Sequence, residues 1–265
     1  MPAVVLENVL KRDRMVVAAA LLALTALAWA YVLWTAASMP TVASVISMPG
    51  MVMTPAGSGI RGFAFTSAMW VVMMIGMMTP SAAPMILLYA RVGRQARADG
   101  RPFASTGWFA GGYLIAWSGF AIAASLAQVA LADMMLITFM LSAANNLFAG
   151  LVLVAAGLYQ WTPLKGSCLS QCQTPLSFLQ RHGGFKPDPK GSLQLGLKHG
   201  LTCIGCCWAL MMLLFVGGVM NLLWIAALSI LVLLEKLVPF GRLVPRLVGL
   251  VLVAAGSIFI FGMAI

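Results

Sequence analysis

Unbroken apolar runs, each long enough to cross a bilayer as a helix, dominate this chain and leave few folds open to it. A hydrocarbon core about 30 Å thick takes about 20 helical residues. Runs of that order fall at 15–36, 63–89, 106–131, 141–161, 195–219, 222–237 and 247–263, the sixth being the shortest. A spanning barrel would need short segments of alternating apolar and polar residues, so strands are not expected. Composition closes the remaining exit: 62% of the 265 residues are hydrophobic and 8% are charged, too few charges to coat a soluble domain. The expected fold is all-α, a polytopic transmembrane helical bundle with a helix for each run, forming a single integral membrane domain over 1–265.

The basic residues argue the orientation, because cytoplasmic loops retain Lys and Arg. With the N-terminus in the cytoplasm, 15 of the 16 basic residues fall inside. They are Lys11, Arg12 and Arg14, then Arg91, Arg94, Arg97 and Arg101, then Lys165, Arg181, Lys186, Lys190 and Lys198, and finally Lys236, Arg242 and Arg246. Arg61 alone is left outside, and the helix count puts the C-terminal Ile265 on the external side. Topology and attraction to anionic lipid head groups account for the net charge of +10, so the bilayer is a partner and nucleic acid is not. The run at 15–36 follows a basic segment as a secretory signal would. It exceeds the about 7–15 apolar residues of such a signal and is read as an anchor helix. Two connections stand out: a cytoplasmic loop at 162–194, rich in Pro, Gly and Lys, and an external loop at 37–62, rich in Met, Pro and Gly.

Ligand chemistry concentrates in KHGLTCIGCCWALMM, residues 198–212, at the cytoplasmic entrance of the fifth run. At about 100° per residue, His199, Cys203, Cys206 and Cys207 fall at about 0°, 40°, −20° and 80° on the helix wheel, one shared face. An imidazole and three thiols on one stripe suit a soft or borderline metal, copper first and zinc as the alternative. Each cysteine taken singly is equally well explained as a small buried apolar residue. CLSQC adds Cys168 and Cys172 in the loop leading into the same run. All five cysteines thus lie toward the cytoplasmic side, where disulfides do not persist, which favours metal binding or transient redox chemistry. His182, in RHGG, reads as a plain loop residue.

A second soft stripe lies in MWVVMMIGMMTPSAAPM, where Met69, Met73 and Met77 follow at i, i+4 steps with Met74, Met78 and Met85 nearby. Thioethers ligate Cu(I), yet methionine is also the commonest filler of irregular cores. Pro80 and Pro84 are expected to break the backbone ladder inside the membrane, as in helices that border substrate sites. Glu235 and Lys236, at the inner end of the sixth run, read as an interfacial pair.

These segments, with YQWTPLKGSCLSQC and the long stretch from GLKHGLTCIGCCWALMM to LLEKLVP, resemble a bacterial family of predicted metal-binding integral membrane proteins, a domain of unknown function. The likeness spans roughly residues 65–256 and rests on its H-G-x2-C-x2-C-C-W core. It implies a bacterial inner-membrane protein with suspected ligands at His199, Cys203, Cys206 and Cys207, extended to Cys168 and Cys172. It names no substrate.

One pattern goes further. GLVLVAAG occurs at 150–157 and again, letter for letter, at 249–256, in runs that cross in opposite directions, and MWVVMM at 69–74 echoes CWALMM at 207–212. Residues 63–161 and 195–263 are therefore expected to form two inverted three-helix repeats after the anchor helix, with Met73 and Met77 facing the cysteines across one site. The function expected is the handling of copper, or zinc, in transport or in delivery to a membrane metalloprotein, with a metallochaperone or membrane metalloenzyme as partner. The alternatives are a thiol-disulfide electron relay and an assembly or structural subunit of a larger membrane complex. No Ser/His/Asp set, nucleotide loop or haem-ligand pair is evident, and nothing in the sequence requires an enzyme.

Overall fold

The computed structural model describes residues 2–38, 59–100, 102–138, 141–238 and 243–262. The external-loop methionines Met48, Met51 and Met53, the end of the second repeat at 263 and the C-terminal Ile265 lie outside the described residues. In chain order the helices are α1 (Pro2–Ser38), α2 (Ile60–Ala98), α3 (Thr106–Asp133), α4 (Asn146–Tyr159), α5 (Pro163–Gln173), α6 (Pro175–Arg181), α7 (Pro189–Met212), α8 (Leu214–Gly217), α9 (Leu222–Leu237) and α10 (Leu243–Phe261). Among the described residues the one strand-like feature is an isolated antiparallel bridge between Ile137 and Ala143.

Five helical stretches among the described residues are long and apolar enough to cross a membrane: Met15–Ala36 within α1, all of α2, all of α3, Pro189–Gly217 through α7 and α8, and α10. The fourth predicted run is corrected. Only 14 of its residues are helical in α4, about 21 Å at 1.5 Å per residue, and the chain then bends by 65° into α5. The sixth has the expected bounds, but its 16 residues in α9 fall short of a full crossing. The fifth begins six residues early, at Pro189 rather than Leu195. Asp188 explains this: its carboxylate accepts from the Gly191 N–H at 2.7 Å, and Pro189 fills a first-turn position that needs no donor.

Pro80 and Pro84 do not interrupt α2, which is helical from Ile60 to Ala98. Each proline removes the donor for the carbonyl four residues back. Hydroxyls bond other carbonyls of the same turns: Thr79 Oγ1 donates to Ile75 O at 2.6 Å, Ser81 Oγ to Met78 O at 2.8 Å, and the Tyr113 OH of α3 to Met78 O at 3.0 Å, which ties α3 to α2 at this point.

Helix α3 is the hub, packing on α2 along one side and on α7 along another. The α3–α7 approach depends on missing side chains, since a Cβ on Gly196 would fall 2.0 Å from Phe109 O and one on Gly112 2.1 Å from Leu193 O. At the periphery α4 packs on α10 through the duplicated octapeptide. Gly150 meets Gly256 and Gly157 meets Gly249, an antiparallel register in which a Cβ at any of the four would lie 2.7–2.9 Å from the opposing glycine carbonyl.

The interior is apolar, as in a soluble protein, but so is much of the surface. Large apolar side chains such as Leu22, Leu126, Leu151, Leu223, Leu250 and Ile258 are exposed, while His199, Lys165, Glu235 and Lys236 are buried.

Candidate metal centre

Helix α7 carries the stripe read from the sequence, and the stripe faces inward. His199, Cys203, Cys206 and Cys207 all lie on its buried face. Of the four, the imidazole is the group whose burial costs most, about 1–3 kcal/mol where a polar atom is left unpaired.

Cys203 has the richest company. Its sulfur accepts from Lys236 Nζ of α9 at 2.9 Å and lies 3.3 Å from the Tyr113 OH of α3. The same ammonium donates to Ser81 Oγ of α2 at 2.9 Å, so four helices, α2, α3, α7 and α9, converge on this thiol and its ammonium partner. The thiols of Cys206 and Cys207 turn back along α7 and donate to the Cys203 carbonyl at 3.0 and 3.1 Å.

Cys168 and Cys172 are not in a solvated loop. They sit on α5, which starts with Thr162 accepting from the Lys165 N–H and Pro163 in the first turn, and which packs along α7. A four-residue spacing brings both to the same side of a helix. Cys172 Sγ reaches to 3.9 Å from Cys206 Sγ, joining the cluster. Cys168 settles over Gly205, where a Cβ would lie 2.9 Å from its sulfur, beside rather than within the group.

His199, one turn before Cys203, lies in an aromatic box. Its ring centroid is 5.8 Å from Phe109, 5.8 Å from Tyr113 and 5.0 Å from Phe178. The residue is 4% exposed and its Nδ1 has no hydrogen-bond partner. A buried orphan nitrogen one turn from a thiol cluster is a donor available to a cation.

Glu235 and Lys236 are buried within the protein rather than solvated. Glu235 Oε2 accepts from Lys165 Nζ at 2.7 Å, with the two side chains 2% and 1% exposed, and Gln173 Nε2 donates to the Glu235 carbonyl at 2.7 Å. Adjacent residues of α9 therefore serve two sites, Glu235 fixing α5 and Lys236 fixing Cys203. Both lysines leave the set that marks orientation, because a paired interior charge says nothing about loop topology. The sequence offered one signal for them, an ionisable pair inside an apolar run, and its place at the helix end concealed it.

Met73 and Met77 are buried on α2 in the same contiguous core as the thiols. Helices α2 and α7 nevertheless pack on α3 rather than closely on one another. Among the described residues no three His, Cys, Asp or Glu side chains already form a metal polyhedron, since two of the thiols are folded back onto a carbonyl. The chemistry of the set fits a soft ion: four clustered sulfurs and an unpartnered imidazole, with no carboxylate among them.

Comparison with known proteins agrees with that chemistry. A copper chaperone family, PpoB2, matches over residues 67–259, a stretch containing every cysteine, both histidines and the α2 methionines. The match covers well over half of the chain, which belongs to this copper chaperone family. No curated protein and no solved structure matches it.

Proposed function

We propose that this chain is an integral membrane copper handler that receives Cu(I) as cargo at the α5–α7 thiol cluster and hands it to a membrane metalloprotein or across the bilayer. The observation that carries the reading is the gathering of cysteines where α5 packs on α7, with Cys172 Sγ 3.9 Å from Cys206 Sγ and the Cys206 and Cys207 thiols on the Cys203 carbonyl, in a copper chaperone family member. Thiolate and imidazole prefer Cu(I) to harder ions, and the Cys206 and Cys207 thiols need only rotate off the Cys203 carbonyl to face a shared ion. His199 supplies the nitrogen donor, and Cys168 is peripheral. Met73 and Met77 stand as weak thioether stations in transit, separate from the tight site.

Exposed leucines around buried charges support residence in a bilayer, with α4 continued through the bend into α5 and the short α9 completing a seven-pass bundle. The basic residues favour a cytoplasmic N-terminus and a thiol cluster toward the cytoplasmic side. The glycine-matched α4–α10 pair supports an inverted repeat, because equivalent helices meeting at a two-fold axis in the membrane plane run antiparallel. The Cys172–Cys206 approach also supports a dithiol relay. All five cysteines lie on α5 and α7, however, and supply no second pair for the far side of the bundle.

The test is metal analysis of anaerobically purified protein. Wild type retains copper, whereas Cys203→Ala and Cys206→Ala lose it and Cys168→Ala keeps most of it. Equal copper in all four sinks the cluster as the binding site.

A further inference from the structure

At the end of the bundle that carries α6, rings pack over His199, one turn from the thiol cluster. Phe178 of α6 is wholly buried between two imidazoles: its ring centroid is 4.3 Å from His182 and 5.0 Å, edge-on, from His199. His182 is half-buried at the surface, and His199 is the orphan donor one turn from Cys203.

His182 is also set up as a ligand. Its Nδ1 lies 2.9 Å from the Phe178 carbonyl. A carbonyl can only accept, so Nδ1 carries the proton and the neutral ring keeps its lone pair on Nε2. Metal-ligating histidines are held in this way, by the second nitrogen donating to a backbone carbonyl.

The segment carrying Phe178 is a short helix followed by a glycine turn. Its backbone packs closely on its neighbour α5, while Phe178 and Leu179 dock it to the core. It ends at Gly183 and Gly184, with φ of 77° and 76°, a left-handed pair that side chains disfavour, closed by the Gly184 N–H donating to Leu179 O at 2.8 Å. Beyond the glycines the chain is pinned again. The Tyr89 and Ser192 hydroxyls bond each other and lie 3.2 and 3.1 Å from the Lys186 carbonyl, which accepts from one of them, and Phe185 packs against Tyr89 and Phe103.

From this geometry we infer that the His182–Phe178–His199 stack is the port through which Cu(I) exchanges between solvent and the thiol cluster. His182 is the outer nitrogen donor, Phe178 the plug that α6 lifts on its glycine hinge, and His199 the inner donor. This assignment rests on the copper reading above and adds to it an entry site and a rate control. A plug sets how fast the ion passes and leaves the affinity of the thiols alone, so rate and stoichiometry separate.

The experiment follows extraction of Cu(I) from anaerobically loaded, detergent-solubilised protein by excess bathocuproine disulfonate in stopped flow. Phe178→Ala is expected to speed extraction about tenfold or more at unchanged copper stoichiometry, equivalent to about 1.4 kcal/mol off the barrier. Phe178→Leu, which keeps an apolar filler and guards against a misfolded alanine variant, should fall between it and wild type. His182→Ala should slow extraction. Phe215→Ala, which opens an aromatic contact with Trp70 away from the stack, should leave the rate unchanged. The port alone is overturned if wild type loads normally but the Phe178 and His182 variants extract at the wild-type rate. It is overturned equally if Phe215→Ala accelerates extraction as much as Phe178→Ala. A wild-type protein that takes up no Cu(I) overturns the copper reading, and the port with it.

Discussion

Two helices of this protein display soft donors at helical spacing, and burial does not tell them apart. Met73 and Met77 on α2 are 1% and 3% exposed, and Cys203, Cys206 and Cys207 on α7 are 2%, 1% and 1%. What differs is the company. The thiols are held by an ammonium, a phenol, a backbone carbonyl and a further thiol from α5, whereas the methionines lie in apolar core. An apolar helix face gains nothing from importing a lysine and a tyrosine, so polar company around a soft donor, more than the spacing, distinguishes the thiol cluster from the methionine stripe.

The sharpest break in that comparison comes from the thiols. Cys203→Ala and Cys206→Ala should each reduce copper at purification to near background while Met73→Leu retains it, as measured by elemental analysis of anaerobic preparations. Copper lost equally from the methionine variant would erase the distinction between the two stripes.

Next in size is the support beneath the cysteine side. Lys165→Met leaves Glu235 as a buried charge without its partner, which costs about 3–5 kcal/mol, and should show as a large fall in thermal midpoint in detergent. Replacing both residues by leucine should recover most of that loss, because an apolar pair of similar volume is often as stable as a buried ion pair. A double variant as unstable as the single one would mean that the bond between Lys165 and Glu235, rather than the balance of charge, holds α5 in place.

How far the sequence could be read follows the same division. The α7 stripe was legible because a period of 3.6 puts positions 199, 203, 206 and 207 on one side whatever surrounds them. The fate of PLKGSCLSQCQ was not: polar, proline-led and glycine-containing, it reads as a loop, and only docking on α7 makes it a helix. Glu235 and Lys236 were hidden by position, because helix-end charges are ordinarily solvated and nothing local reveals Lys165 arriving from 70 residues away. The α2 prolines misled in the other direction, since the helix runs on from Ile60 to Ala98 with only two ladder donors missing. The octapeptide repeat was visible as letters, and its meaning as an antiparallel glycine contact required coordinates.

A smaller effect is expected at the bond that ties the two stripes together. Tyr113→Phe removes one hydroxyl that bonds Met78 O on α2 and approaches Cys203 on α7. Met78 O keeps the Ser81 hydroxyl, so the cost should be about 1 kcal/mol, read from denaturant midpoints. The same variant should change the rate at which Cys203 is alkylated under anaerobic conditions, while a buried tyrosine with only a packing role would leave that rate alone.

The least effect on the fold should come from Met73→Leu/Met77→Leu. The exchange conserves volume in a packed core, so it should cost under about 1.5 kcal/mol. Copper stoichiometry should also hold, because in the proposed mechanism the tight site belongs to the α5–α7 thiols. The variant bears on transit: a thioether binds Cu(I) weakly enough to pass it on, and two leucines cannot. Silver or copper uptake into proteoliposomes should therefore slow while the bound copper of the purified protein does not change. Unchanged uptake would assign both methionines to the core, and the comparison between the two helices would then be complete, with one stripe binding and the other filling space.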